Sequence, residues 1–120
     1  MNFDEARDRH GQWRFKFRGA IAQKETMDAA VIAKDDRCDL GKWLHGEAKD
    51  KYSRLSSYSD CVGKHAHFHI AASDVANKIN ARQFEEARAL LDMGSDFSLA
   101  SAAIVSALNA LEQEASGGSR

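Results

Sequence analysis

Proline is absent from this 120-residue chain, and its apolar residues recur at alternating spacings of three and four. Such spacings place side chains on one face of an α-helix, and no proline interrupts the helices. Three long stretches carry the pattern: Phe3, Ala6, His10, Trp13, Phe17, Ala20; then Cys61, His65, Phe68, Ala72, Val75, Ile79; then Phe97, Ala100, Ile104, Ala107, Leu111. The pattern predicts an all-α chain folded as an antiparallel helical bundle.

The segments between these stretches are predicted to contain short helical pieces, within residues 25–36, 38–45, 47–57 and 84–91. Cys38 lies near the start of the second piece, with Asp35 or Asp36 as its expected cap and Gly46 as its expected stop. Met93 fits the register of the last long stretch. This leaves open whether the last short piece and the last long helix form one kinked helix.

Length and charge narrow the classes of function. The chain is long enough for one domain with one core, predicted over residues 1–113, and a flexible tail is predicted over 114–120. A net charge of -1 gives no basic excess for nucleic acid or anionic lipid. No apolar run approaches the roughly 20 residues of a membrane span, and no signal peptide is evident. We therefore expect no nucleic-acid or membrane partner and a cytoplasmic location, where thiols stay reduced.

Histidines lie on the predicted helical faces. His65 and His69 are four residues apart, which presents two imidazoles to one metal ion, although this spacing also occurs by chance. His67, between them, must point elsewhere. His10 lies on the first apolar face, where a lone histidine is more often a satisfied core residue than a ligand.

Cys38 adds a thiol to this set. A helix N-terminus favours its thiolate, and the alternative is a small buried hydrophobe, which is the interpretation we prefer for Cys61. Three imidazoles and one thiolate form a closed tetrahedral set that suits Zn(II), here His10, Cys38, His65 and His69. Four protein ligands leave no position for a reactive water, so the predicted site is structural or sensory. Asp39 or another carboxylate would offset the remaining positive charge.

A metalloenzyme is the catalytic alternative. Di-iron bundles use a Glu-x-x-His motif on two helices together with further glutamates. No Glu-x-x-His occurs in this chain. We therefore expect no enzymatic activity.

The motifs resemble the chemoreceptor zinc-binding (CZB) domain family. The matching residues are His10 with Trp13, the run Cys-Asp-Leu-Gly-Lys-Trp-Leu over 38–44, the run His-Ala-His-Phe-His over 65–69, and parts of 84–98. The intervals between His10, Cys38 and His65, 28 and 27 residues, are also similar to those of the family. The resemblance implies a four-helix bundle, with a short extra helix carrying the cysteine, and a zinc site of three histidines and one cysteine. Around the metal we expect Trp13, Asp39, Trp43 and Phe68.

The same resemblance implies a function. CZB domains occur in bacterial chemoreceptors and diguanylate cyclases, where zinc or oxidants acting at the cysteine alter signalling. Such domains are usually appended to an output module and this chain has none, so we expect either a stand-alone member or a part of a larger protein. Either zinc occupancy or oxidation of Cys38 is the signal, or zinc is a structural staple in a protein-interaction module. The resemblance also suggests a homodimer, as do apolar residues that one small core is not expected to absorb: Ile21, Val31, Val62, Ile70 and Val105.

Overall fold

The computed structural model describes residues 1–118 and is all-α within them, which confirms the all-α prediction, while the four-helix arrangement stays a prediction. The helices are α1 (Phe3–Gly11), α2 (Trp13–Gln23), α3 (Ala29–Ile32), α4 (Asp39–His45), α5 (Glu47–Tyr52), α6 (Ser56–Asn80), α7 (Phe84–Leu90) and α8 (Asp96–Gln113). A π-helical turn, Glu114–Gly118, continues α8. The last two residues of the predicted tail lie outside the described residues, and the division into domain and tail stays a prediction.

Three helical rods run along the molecule. The first consists of α1 and α2 in succession, the second is α6 and the third is α8. Side chains of α1 and α2 meet α8 in reverse order, since His10 contacts Ser101 whereas Arg14 contacts Ser98. The start of α6 likewise meets the residue after α8, where Glu114 binds the Ser57 N–H. Because of this, α8 runs antiparallel to the other two rods. The short helices α3, α4 and α5 pack along them.

The predicted apolar faces form the core. Every member of the α6 face from Cys61 to Ile79 is fully buried. The five members of the α8 face are at most 4 % exposed. Among the members of the predicted face on α1 and α2, only Trp13 is partly exposed. The 3–4 spacing thus located the buried sides of all three rods correctly.

Two details of the predicted helices are wrong, a break in the first stretch and the cap of α4. The first stretch is two helices that meet at Gln12, next to the weak helix former Gly11. Cys38 itself, rather than Asp35 or Asp36, is the N-cap of α4, because its sulfur accepts the Gly41 N–H at 3.2 Å. Gly46 ends α4 as predicted.

The last two helices are separate. Ser95 caps α8 by accepting the Ser98 N–H at 3.1 Å, while Gly94 before it has a positive φ of 86°. Met93 is 87 % exposed, although it fits the register of the α8 face. The register did not continue through Met93 because the chain turns at Gly94, where a positive φ suits glycine.

A polar layer divides the apolar core into two clusters. On one side of the layer, the first cluster includes Phe17, Phe68 and Ala100. On the other side, the second cluster includes Ala6, Cys61 and Ile104. The residues at this level are His10, His65 and Ser101. The three rods therefore bring polar side chains to the same height in the bundle.

The five apolar residues that suggested a dimer differ in how far they are buried. Ile21 is buried, Val62 and Val105 are half-buried, and Val31 and Ile70 are 40 % and 54 % exposed. None of the helices in residues 1–118 combines the length and the apolar character that crossing a membrane requires.

Candidate metal centre

One sulfur and two imidazoles meet in the polar layer. Cys38 at the start of α4 and His65 and His69 on α6 bring one possible ligand atom each to within 4.8 Å of one another. His65 and His69 are buried, whereas Cys38 is half-buried. The i, i+4 spacing on α6 therefore does bring two imidazoles together, as the sequence predicted.

The ligand atoms are spaced for a tetrahedral ion. The two Nε2 atoms of His65 and His69 are 3.0 Å apart, and the Cys38 Sγ is 3.4 and 3.3 Å from them. Zinc bonds of about 2.1 Å to nitrogen and 2.3 Å to sulfur would separate such atoms by roughly 3.4–3.6 Å. Side-chain adjustments of a few tenths of an ångström suffice, so this donor set fits Zn²⁺.

Backbone contacts orient the imidazoles. The Nδ1 of His69 donates to the carbonyl oxygen of Ile32 at 2.8 Å, which leaves the lone pair on the Nε2 that faces the cluster. Ile32 is the last residue of α3, so this short helix fixes the direction of a ring on α6. The buried Nδ1 of His65 has no hydrogen-bond partner within residues 1–118.

Burial keeps the histidines neutral. It lowers the pKa of His65 to about 3, with the neighbouring His69 and His10 adding to the effect, and that of His10 to about 4, with His69 adding to it. Burial also lowers the pKa of His69, although its bond to Ile32 opposes this. Neutral imidazoles are the form that binds metal ions.

The thiol behaves differently from the sequence expectation. Burial raises the pKa of Cys38, and the N–H groups of Gly41 and Leu40 at the start of α4 offset this only in part. The predicted advantage of the thiolate at a helix N-terminus is therefore outweighed by loss of solvent. A bound cation would stabilise the thiolate here.

His10 stands beside the cluster rather than within it. Its ring is buried and packs edge-on against Phe68, with centroids 4.4 Å apart. Its Nε2 lies 2.9 Å from the hydroxyl oxygen of Ser101 on α8. His10 lines the same cavity as the three clustered residues, but neither of its ring nitrogens completes the cluster.

Of the four residues expected around the metal, three lie at the site and one does not. Trp13 and Phe68 lie edge-on to the His69 ring, at 5.7 and 5.5 Å between centroids. Asp39 borders the cavity and binds Arg9 at 2.5 Å. Trp43 is not brought to the cavity, because it packs against Phe3 and Tyr52 in the apolar cluster that contains Leu44 and Leu108.

The remaining histidines and the second cysteine point away from the cluster. His67 lies 3.5 Å from Asp96 and its side chain is 59 % exposed, whereas His45 lies 3.1 Å from Asp35 and its side chain is 38 % exposed. Cys61 is fully buried in an apolar cluster, and burial raises its pKa to about 12. The preferred interpretation of Cys61 as a core residue is confirmed.

Sequence reasoning missed three contributors to the site. The Ile32 carbonyl carries no sequence signal, because any residue supplies a carbonyl. Ser101 is a polar residue beside an apolar face, a weak signal. Gly41 had a stronger one, since glycine is unfavourable inside a helix, and a Cβ there would overlap the Asp35 carbonyl oxygen.

Comparison with known families agrees with this geometry. The family model of the chemoreceptor zinc-binding domain matches residues 10–76, more than half of the chain. The chain belongs to the chemoreceptor zinc-binding domain family. No curated protein and no solved structure matches it significantly. As a CZB domain the chain belongs to a zinc-binding family of regulatory domains, and its Cys38, His65 and His69 form a cluster that could hold a metal ion.

Proposed function

We propose that this CZB domain binds one Zn²⁺ per chain through Cys38, His65, His69 and His10 and uses the site as a regulatory sensor. The observation that carries the proposal is the group of one sulfur and two imidazole nitrogens within 4.8 Å of one another. When bound, Zn²⁺ supplies the positive charge that holds the Cys38 sulfur as a thiolate.

His10 is the fourth ligand in this proposal. Its burial beside the cluster, its place on the wall of the same cavity and its position within the matched family segment support the assignment. Its Nε2 is already bonded to Ser101, so its ring must shift to join the others. Such a shift would couple the site to α1 and α8, which the polar layer connects.

Cys38 is the responsive ligand. It is the least buried member of the cluster and borders a cavity, which supports access by small reagents. A hydroperoxide would transfer its terminal oxygen to the sulfur and leave as the alcohol or water, giving a sulfenic acid. The site would then lose its only anionic ligand, and Zn²⁺ would be released or held weakly.

A structural staple is the second candidate. The cluster joins α4 to α6, and the contact from His69 to Ile32 adds α3. A metal at this place would join α4 to α6, which otherwise share few contacts, whereas α3 already packs on α6. Complete unfolding of the chain on chelation would favour the staple, whereas a folded metal-free chain would favour the sensor.

Membership of the family supports a proposal for the cellular setting of the domain. We place it in the cytoplasm, where a reduced Cys38 is available, with a chemoreceptor in chemotaxis or a diguanylate cyclase in cyclic-di-GMP control as partner. We also propose a homodimer, supported by the exposed side chains of Val31 and Ile70. A monodisperse monomer in light scattering at high concentration would contradict the dimer.

The metal assignment is tested by titrating zinc into the purified chain and its alanine variants. One Zn²⁺ should bind, and Cys38→Ala, His65→Ala, His69→Ala and His10→Ala should each weaken binding. A structural zinc is worth about 10–16 kcal/mol, so an equal share is about 3 kcal/mol per ligand, or roughly a hundredfold in Kd. His10→Ala should cost the least, because His10 is not preassembled.

His67→Ala and His45→Ala are the matched controls, because neither ring belongs to the cluster and each contacts an aspartate outside it. Both should bind zinc like the wild type. A loss of metal from His67→Ala as large as that from His65→Ala would overturn the assignment.

The redox response is tested by oxidant titration of the zinc-loaded chain with a zinc-sensitive dye. Zinc release should follow the sulfenic acid at Cys38, measured by mass spectrometry, in the same molar proportion. If Cys38 is oxidised while zinc stays bound and α1 and α4 keep their hydrogen-exchange protection, the redox switch is wrong and zinc occupancy alone is the signal.

A further inference from the structure

A cavity of about 260 Å³ opens onto the metal cluster. It has room for roughly eight water molecules at about 30 Å³ each, which is enough for a small carboxylate or phosphate. Cys38, His65, His69 and His10 form part of its wall. A molecule in this cavity would therefore lie against the sulfur.

The lining of the cavity is strongly basic. It contains Arg9, Lys16, Lys34 and Arg37 but only one carboxylate, that of Asp39, whereas the whole chain has a net charge of -1. An imidazole is either neutral or positive, so the histidines in the wall do not offset this basic lining. A concave surface lined by one sign of charge raises the local concentration of ions of the opposite sign.

Two of the four cations have acidic partners. Arg9 is bonded to Asp39 at 2.5 Å, and Arg37 lies 3.4 Å from Asp36. Within the described residues neither Lys16 nor Lys34 makes an ion pair, and both are exposed. Lys16 extends over the Trp13 ring, 4.7 Å from its centroid, on α2, while Lys34 follows α3 on a different segment.

We propose that this cavity is a binding site for small anions and that it delivers them to the Cys38 sulfur. Lys16 and Lys34 supply the attraction, and Arg9 and Arg37 define the remainder of the basic rim. The inference rests on the proposed role of Cys38 as the responsive ligand, and it specifies the chemical class of the agent: a small anionic molecule reaches the site more readily than a neutral one of the same size.

The test compares alkylation of Cys38 by iodoacetate and iodoacetamide, which have nearly the same size but differ in charge. In both reactions the sulfur displaces iodide, so the ratio of the two rate constants cancels the intrinsic reactivity of the thiol. Peptide mass spectrometry follows Cys38 alone. The ratio is measured on the full chain, both chelated and zinc-loaded, since a bound Zn²⁺ also attracts anions.

At low ionic strength the rate constant for iodoacetate divided by that for iodoacetamide should be about tenfold higher at Cys38 than for N-acetylcysteinamide, a neutral free thiol. It should fall toward that reference in about 0.5 M salt, because the Debye length is then only a few ångströms. Lys16→Gln/Lys34→Gln should lower the ratio several-fold in both the chelated and the zinc-loaded chain.

Lys49→Gln/Arg54→Gln is the matched control, since it removes two exposed cations that do not line the cavity. It should keep the wild-type ratio. A wild-type ratio equal to that of the free thiol, or the same ratio in both double variants, overturns the proposal.

Zinc affinity is measured separately for each variant. Failure of the wild type to bind zinc would contradict the proposed function. It would not change the alkylation ratio of the chelated chain, which tests the anion site by itself. An unchanged zinc affinity in Lys16→Gln/Lys34→Gln, together with a lowered ratio, supports the anion site specifically.

Discussion

Gly41 positions the sulfur of the site in two ways. Its N–H donates to the Cys38 Sγ, and its missing side chain lets α4 pack against the preceding loop, where a Cβ would overlap the Asp35 carbonyl oxygen. The residue thus connects the sequence motif around Cys38 to the geometry of the cluster.

Replacing Gly41 by alanine should weaken zinc binding by about 10–100-fold, as loss of a group that orients a ligand does, and should lower the free energy of unfolding by about 1–3 kcal/mol through overpacking. Zinc titration and urea unfolding measure the two effects. Gly63→Ala on α6 is the control, because a Cβ there meets nothing within 4 Å. It should leave zinc binding unchanged and stabilise the chain by up to about 1 kcal/mol. Wild-type zinc affinity in Gly41→Ala would contradict this role.

Proton release on metal binding follows from the environments of the ligands. Burial raises the pKa of Cys38 and lowers the pKa of His65 to about 3, so at pH 7 the sulfur carries a proton and the imidazole does not. Zinc binding should therefore release about one proton per chain. Calorimetry in buffers of different ionisation enthalpy measures this number, and Cys38→Ala should release none. Release near zero would mean that Cys38 is already a thiolate without metal.

Among the helices, α6 is capped at its N-terminus by a residue that is distant in the sequence. The helix begins at Ser56, and Leu55 before it supplies no side-chain cap. Glu114, beyond α8, instead accepts the Ser57 N–H and the Ser56 hydroxyl, both at 2.9 Å. These bonds also lower the pKa of Glu114. The carboxylate satisfies a free N–H at the first turn of α6 and faces the positive end of its dipole.

Glu114→Gln should fray the first turn of α6, because the charge that binds its N–H groups is removed. Hydrogen exchange at residues 56–58 should be faster than in the wild type at pH 7. A lowered pKa stabilises the folded state above the unfolded value of about 4.5, and this contribution is lost as the pH falls through the folded value. The difference between variant and wild type should therefore disappear in acid. Glu25→Gln, an exposed carboxylate, is the control, and equal protection of residues 56–58 in all three chains would refute the capping role.

The whole molecule carries its polar layer between two apolar clusters. Each cluster has its own set of fully buried residues, such as Phe17 and Val75 in one and Leu44 and Leu108 in the other. The metal-free chain should therefore stay largely helical, which circular dichroism after chelation measures. The layer itself is the sensitive part, because neutral histidines are buried within it.

Acid should destabilise the metal-free chain through this layer. Burial lowers the pKa of His10 to about 4, against 6.5 for the unfolded chain. As the pH falls below about 6.5 the unfolded state binds protons first, so the free energy of unfolding decreases until the folded pKa is reached. Urea unfolding at pH 7 and pH 5 should show this loss, and His10→Phe should reduce it. His67→Ala, at an exposed ring, should not, and equal stability of the wild type at both pH values would contradict the argument.

The sequence by itself determined the helical fold, the buried faces of the three rods and the pairing of His65 with His69, because a helix has a fixed period and those residues repeat with it. It also supplied the motif around Cys38. Only the tertiary structure decided that Cys38 caps α4, that the Ile32 carbonyl orients His69, that Glu114 caps α6 and that His10 bonds to Ser101 beside the cluster. These contacts join residues far apart in the chain through backbone groups and side chains that have no local pattern. The basic rim around the cavity arises in the same way, since Lys16 and Lys34 come together only when α2 and the segment after α3 pack on α6.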